Sequence, residues 1–252
     1  MTANESQLNG QWALVTGGAK RIGAAIARIL HAHGANIAVH YASSNTAASE
    51  LVDELNSART SSALSVQADL RESAALRQMV ATVTEQTGGR LDLLINNAST
   101  FYPTPLTEVS EDNWNDLLGT NLKAPLFLAQ AALPLLRQAG GQIINIVDIH
   151  AQRPLRNHPV YGPAKAGLAM LTRSLAKDLA PDVRVNGVSP GAILWPESGM
   201  SEQAEQSILK QIPLARTGEP ADIARTVLFL VKDAPYITGQ IIAVDGGRSV
   251  GW

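Results

Sequence analysis

The 252 residues, 45% of them hydrophobic, include no cysteine, which excludes a disulfide scaffold, thiolate catalysis and cysteine-ligated zinc. Lys and Arg number 20 against 22 Asp and Glu, a formal charge of −2, so there is no basic field for a nucleic-acid backbone or an anionic membrane surface. The longest nearly apolar run, Ala124 to Leu136, is broken by Gln130 and is too short to span a bilayer, and the polar start from Met1 to Ser6 has no signal-peptide core; a cytoplasmic protein is expected.

Seven short apolar runs predict strands: Trp12–Thr16, Asn36–Tyr41, Ala63–Gln67, Leu91–Asn96, Gln142–Val147, Val183–Val188 and Ile241–Val244. Most are apolar at consecutive positions, as strands covered on both faces must be. After the first, Ile22, Ile26, Ile29 and Leu30 recur at helical spacing and Gly34 follows as a C-terminal cap. A long helix is expected over Asn113 to Ala139, and another opens at Tyr161 with Leu168, Leu171 and Leu175. The alternation predicts one α/β domain over 1–252, a doubly wound, Rossmann-like parallel sheet with helices on both faces and ligands at the carboxyl ends of its strands. Mobility is expected at the end of the Ser43 to Ser62 stretch and over Leu194 to Glu205, where Pro196, Ser198 and Gly199 interrupt any period. A substrate lid is expected at about 192–212, with Trp195 a candidate cover and ordinary packing its alternative.

The first strand runs into Thr16-Gly17-Gly18-Ala19-Lys20-Arg21-Ile22-Gly23, and a helix begins inside that segment. Glycine permits the tight turn and the close approach of backbone N–H groups to a pyrophosphate, which the helix N-terminus also attracts. A strand before and an amphipathic helix after are the context that a dinucleotide fingerprint requires. About 18 residues past Gly23, where NAD-binding chains place an acid for the ribose hydroxyls, stands Tyr41, followed by Ala42, Ser43 and Ser44. Hydrogen-bond donors there, with Lys20 and Arg21 at the turn, favour a 2′-phosphate and therefore NADPH.

Tyr161 and Lys165 share one helix face at i and i+4. A cation within about 4–6 Å stabilises a phenolate and lowers the tyrosine pKa, so Lys165 is expected to bias Tyr161 toward acid-base work.

With these residues the chain resembles the short-chain dehydrogenase/reductase family over nearly its whole length. The matching segments are the glycine-rich turn, Asp69-Leu70, Asn96-Asn97-Ala98, Asn121, Tyr161 with Lys165, Pro190-Gly191 and the tail from Tyr236 to Gly247. The resemblance implies that Asp69 and Leu70 contact adenine and that Asn97 and Ala98 line the cofactor cleft near Pro190 and Gly191. It further implies that Tyr161 is the catalytic acid, that Lys165 holds the nicotinamide ribose, and that Asn121 anchors a water chain behind Lys165. The alternative readings are that Asn121 caps a bend and that Asp69 caps the following helix.

Two departures from the common pattern carry information. Arg21 stands at the middle glycine of the turn, and Asp148, thirteen residues before Tyr161, stands where most relatives place serine. A carboxylate beside a carbonyl oxygen that gains negative charge repels it, so simple ketone reduction is disfavoured. Ring nitrogens and exocyclic N–H groups suit a carboxyl group, and a desolvated Asp with a raised pKa passes on a proton. Together with Ser99-Thr100-Phe101-Tyr102-Pro103, these departures resemble the pteridine reductase branch. That resemblance implies a pterin sandwiched between nicotinamide and Phe101, with Ser99 and Arg21 reaching both pterin and cofactor phosphate. The expected activity is NADPH-dependent hydride transfer to a pteridine ring; the alternatives are a ketoreductase for 3-oxoacyl or similar carbonyls and a silent nucleotide sensor. A homotetramer is expected from the resemblance, with contacts through Asn113 to Ala139, the helix at Tyr161 and the tail from Arg248 to Trp252. No metal site is expected: His31 and His33, two apart on a helix, cannot face one ligand, and His150 reads as a loop residue.

Overall fold

Each strand carries apolar side chains on both faces, and the structure, a computed structural model that describes residues 8–195 and 199–250, shows what covers them. The strands β1 (Trp12–Val15), β2 (Asn36–Tyr41), β3 (Ala63–Gln67), β4 (Leu93–Asn96), β5 (Gln142–Ile146), β6 (Arg184–Pro190) and β7 (Ile241–Val244) form one parallel sheet in the order β3-β2-β1-β4-β5-β6-β7. The helices are α1 (Arg21–Ala32), α2 (Asn45–Ala58), α3 (Ser73–Gln86), α4 (Glu111–Leu118), α5 (Ala124–Ala139), α6 (Tyr161–Leu179), α7 (Glu202–Leu209) and α8 (Pro220–Lys232). Ala13 and Val15 of β1 enter one core with Ile26 and Leu30 of α1 and Val227 and Leu230 of α8. Leu14 between them enters the other, with Leu76 of α3 and Leu128 and Leu136 of α5. Side chains alternate between the faces of a strand, so two covered faces require an uninterrupted apolar run. Each such buried aliphatic chain contributes about 1.5–3 kcal/mol over its exposed state.

The chain winds outward in opposite directions from β1 and β4, which opens a crevice at their carboxyl ends. Thr16 pins its walls: the hydroxyl donates to Ile95 O at 3.2 Å and accepts the N–H groups of Asn97 and Ala98 at 2.9 and 3.0 Å. The predicted strand Trp12–Thr16 runs one residue past β1: Thr16, whose N–H still donates to Ile95 O at 3.0 Å, opens the turn. At the other end of the sheet, Leu91 and Asp92 precede β4, and the Asp92 carboxylate accepts the Trp12 N–H at 2.8 Å.

The helix expected over Asn113 to Ala139 is not continuous. It begins at Glu111, where Ser110 and Asn113 cap each other reciprocally, and between α4 and α5 it widens into a π-helical turn over Gly119–Lys123. Both stretches expected to be mobile carry local hydrogen bonds. Ser62 is buried, bonded to His31 Nε2 at 2.7 Å and through its N–H to Asn56 Oδ1 at 2.9 Å. Within the expected lid Glu202–Leu209 is helical, started by the Ser201 hydroxyl on the Ala204 N–H at 3.3 Å. Pro196 and Ser198, the Met1 to Ser6 start and Trp252 lie outside the described residues. No described helix is long and apolar enough to cross a membrane.

Gly23 lets α1 descend onto the turn: a Cβ there would lie 2.2 Å from Gly17 O and 2.7 Å from Asn97 Nδ2. Gly23→Ala is expected to lower stability by at least about 1–3 kcal/mol through overpacking against backbone, read as a fall in the urea midpoint at unchanged slope.

Candidate active site

A cleft of about 790 Å³ runs along the carboxyl ends of β1 to β4. Gly17, Lys20, Arg21 and Ile22 from the turn line it, with Ser43, Asp69 and Leu70 at one end and Asn97, Ala98 and Ser99 at the other. The Asn97 amide donates to both Thr16 O at 2.9 Å and Gly17 O at 3.1 Å, so the turn is held from across the crevice. Gly17 takes a left-handed backbone, φ +59, and a Cβ there would lie only 3.0 Å from Ala98 Cα.

Arg21 is also left-handed, at φ 51, although it has a Cβ. That geometry costs a non-glycine residue about 1–2 kcal/mol and persists only where the surroundings hold it. Its guanidinium donates to Trp195 O at 3.3 Å, and the residue lines both the large cleft and a smaller cavity of about 260 Å³ beyond it.

The smaller cavity holds the reactive groups. Phe101, Asp148, Tyr161, Lys165, Pro190 and Gly191 line it, together with Ser99 and Arg21. Tyr161 stands at the first position of α6 and is buried; its hydroxyl donates to Asp148 Oδ2 at 2.7 Å. The other carboxylate oxygen accepts the His150 N–H at 2.8 Å, which fixes its orientation at the end of β5. Burial, and then the Asp148 charge, push the Tyr161 pKa well above its usual range. Lys165, 2% exposed, donates to Ile146 O at 3.0 Å and lies 5.8 Å from the centre of the Tyr161 ring. Burial lowers its pKa to about 8, against an opposing pull from Asp148. The depression of Tyr161 expected from Lys165 is not what the structure gives: burial and the Asp148 carboxylate raise the phenol's pKa.

Phe101 is half exposed, with its ring edge-on to Tyr161 at 4.8 Å between centroids and stacked on His158 at 4.8 Å and 14°. Asn121 in the π-helical turn accepts from the Ser99 hydroxyl at 2.6 Å and donates to Thr100 O at 3.0 Å and Leu117 O at 2.9 Å. Its amide thus ties the Ser99 loop to a carbonyl of the preceding turn of α4.

A family model for enoyl-(acyl carrier protein) reductase matches residues 17–249. The chain belongs to the short-chain dehydrogenase/reductase family. Among its curated relatives, 3-oxoacyl-(acyl-carrier-protein) reductase FabG of Staphylococcus aureus is 39% identical over 239 residues, 93% of this chain and 96% of that protein. Pteridine reductase 1 of Leishmania tarentolae is 37% identical over 283 residues, 94% of this chain and 96% of that protein. Among solved structures, a blue fluorescent protein from a metagenomic library in complex with NADPH superimposes with a TM-score of 0.89 at 37% identity, covering 96% of this chain and 98% of that one. A Serratia marcescens short-chain dehydrogenase/reductase, solved as a mutant with leucine in place of two phenylalanines, superimposes with a TM-score of 0.90 at 32% identity, over 96% and 99%.

In this short-chain dehydrogenase/reductase most of the residues singled out from sequence line the two cavities, but Tyr41, Ser44 and Asn121 line neither. Tyr41 packs against the core beneath α1 and Ser44 precedes α2; neither lines the cleft. Asp69 lines it, but its carboxylate is taken by the Arg71 guanidinium, with a shortest contact of 2.6 Å that holds its pKa below the usual range. Sequence reasoning missed His40, Gln67, Arg71 and His158. Of these, only His40 carried a signal, as a polar residue inside the apolar run of β2.

Two measurements check this geometry. Arg21→Gly is expected to be more stable than Arg21→Ala by about 0.5–1 kcal/mol, since only glycine relieves the left-handed strain; equal urea midpoints would contradict it. Below pH about 8 the fold bears the full cost of the Lys165 ammonium, and that cost fades as pH rises from about 8 toward the ordinary 10.5. Lys165→Met should therefore be more stable than wild type by about 1–2 kcal/mol at pH 7, after loss of the bond to Ile146 O, with the gap narrowing by pH 10 in parallel urea titrations.

Proposed function

We propose that this chain is an NADPH-dependent pteridine reductase that transfers hydride to a dihydropterin or dihydrofolate-type ring. The observation that carries the reading is the Tyr161 hydroxyl bonded to Asp148 at 2.7 Å beside Phe101. The large cleft fits a dinucleotide: it has glycine at the point of closest backbone approach, the α1 N-terminus, Lys20 and Arg21 as cations, and Ala42 and Ser43 in place of a repelling acid after β2. Ser99, Asn97, Ala98, Pro190 and Gly191 would flank the nicotinamide end, with Lys165 toward its ribose. When bound, NADPH supplies the hydride.

The protein's part is to hold the ring and deliver the proton. Phe101 offers an apolar face for a flat heterocycle, and such stacking contributes roughly 1–3 kcal/mol while orienting the ring. Asp148 accepts ring or exocyclic N–H groups, and Tyr161, kept protonated by burial and by Asp148, donates to the nitrogen next to the carbon that receives hydride. Where water supplies that proton instead, loss of Tyr161 spares part of the activity. Trp114, Leu126 and Met170 expose apolar surface on α4, α5 and α6, which supports assembly through these helices as a homotetramer.

The second reading, a ketoreductase for 3-oxoacyl substrates, is favoured by the names of several curated relatives, 38–39% identical against 37% for the pteridine reductase. Whole-chain identity reports mainly the shared fold, and a carboxylate facing a developing oxyanion opposes that chemistry. NADPH oxidation followed with dihydrobiopterin, dihydrofolate and an acetoacetyl thioester separates the readings: turnover of the pteridines alone is expected, and turnover of the thioester alone overturns the proposal. Asp148→Ser should lower pteridine turnover about 100-fold or more and raise activity on the thioester.

A further inference from the structure

We infer that His40 is a positioning residue for the cofactor, a spacer that sets the distance between the glycine-rich turn and the adenine end of the cleft. This rests on the NADPH reading. His40 is the penultimate residue of β2, 1% exposed, yet it lines the cleft. Its Nδ1 accepts the Gly17 N–H at 3.1 Å, and its Nε2 lies 3.1 Å from Ala68 O, immediately before Asp69 and Leu70. A backbone N–H only donates and a carbonyl only accepts, so one neutral tautomer, protonated at Nε2, satisfies both contacts. The same residue's carbonyl accepts the Gly18 N–H at 2.9 Å. The ring therefore ties the Gly17 amide of the turn after β1 to Ala68 just past β3, while the backbone of the same residue in β2 holds the Gly18 amide.

The arrangement has a second consequence. The Gly17 N–H is consumed by the imidazole, so a phosphate meets only the later amides of the turn, together with Lys20 and the α1 N-terminus. Were Nδ1 lost, Gly17 N–H would be a buried orphan free to rotate the turn toward another acceptor, and the phosphate cradle would lose its register. An asparagine at this position places an amide oxygen where Nδ1 stands; a glutamine reaches as far as Nε2 and offers its donor to Ala68 instead.

The test is NADPH affinity, read from the change in nicotinamide fluorescence without any substrate, for wild type, His40→Asn, His40→Gln and His40→Leu, with melting temperatures alongside. His40→Asn should bind within about threefold of wild type, whereas His40→Gln and His40→Leu should bind about tenfold more weakly, close to 1.4 kcal/mol. His40→Asn and His40→Gln should melt at similarly lowered temperatures, since each gives up one of the two bonds. Equal affinities for His40→Asn and His40→Gln, whether unchanged or equally weakened, overturn the inference, because a purely structural residue would not distinguish acceptor from donor. Should His40→Leu fail to fold, the Asn and Gln pair carries the comparison alone. A wild type that leaves NADPH fluorescence unchanged overturns the cofactor reading itself and the inference with it.

Discussion

The contact on which the site depends is the hydrogen bond from the Tyr161 hydroxyl to Asp148. A half-buried carboxylate needs donors, and a buried phenol needs an acceptor; each satisfies the other, and the His150 N–H completes the carboxylate. The pair spans the end of β5 and the start of α6, so its geometry is only as good as the seating of that helix on the sheet. A buried polar relay sets it: Asn96 donates to Asn145 Oδ1 at 2.8 Å, Asn145 donates to the Thr172 hydroxyl at 2.9 Å, and Thr172 donates to Leu168 O at 2.8 Å. These groups have directional partners where aliphatic packing would allow sliding, which fixes α6 in one register against β4 and β5.

Much of this was legible because it is written in periodicity. Runs such as Ala13-Leu14-Val15 and Leu93-Leu94-Ile95 read as doubly covered strands and are. The i, i+4 relation of Tyr161 and Lys165 placed both on one helix face, and Asp148 announced itself by replacing a neutral hydroxyl with a charge. What sequence could not supply was the balance of opposing effects at a point. Burial and Asp148 set the direction for Tyr161, and burial is what no spacing reveals. Tyr41 and Ser44 were misplaced because a strand end fixes position along the chain but not the direction in which a side chain leaves it. His40 was overlooked for the same reason: the structure turns its ring into the seam between two neighbouring strands.

Similarity to known proteins and the chemistry of the cavity answer different questions. The whole chain resembles acyl-carrier reductases and a pteridine reductase to nearly the same degree, since the sheet, the turn and the Tyr-Lys pair are common to the fold. The smaller cavity differs in kind from those shared features: Arg21, Ser99, Phe101 and Asp148 line it, and under the proposed function they are the groups that select substrate. Arg21 lines both cavities and keeps a left-handed backbone there.

The π-helical turn at Gly119–Lys123 links the loop that follows β4 to the helix α5 on the sheet. Its wider winding holds Asn121 toward Ser99 while α5 beyond it keeps Leu128 and Leu136 on the sheet. Rewinding the same residues as ordinary helix, at unchanged length, would rotate everything downstream by about 100°. The wider winding therefore absorbs one residue of phase: without it the core face of α5 and the Asn121 contact with the Ser99 loop could not both be kept.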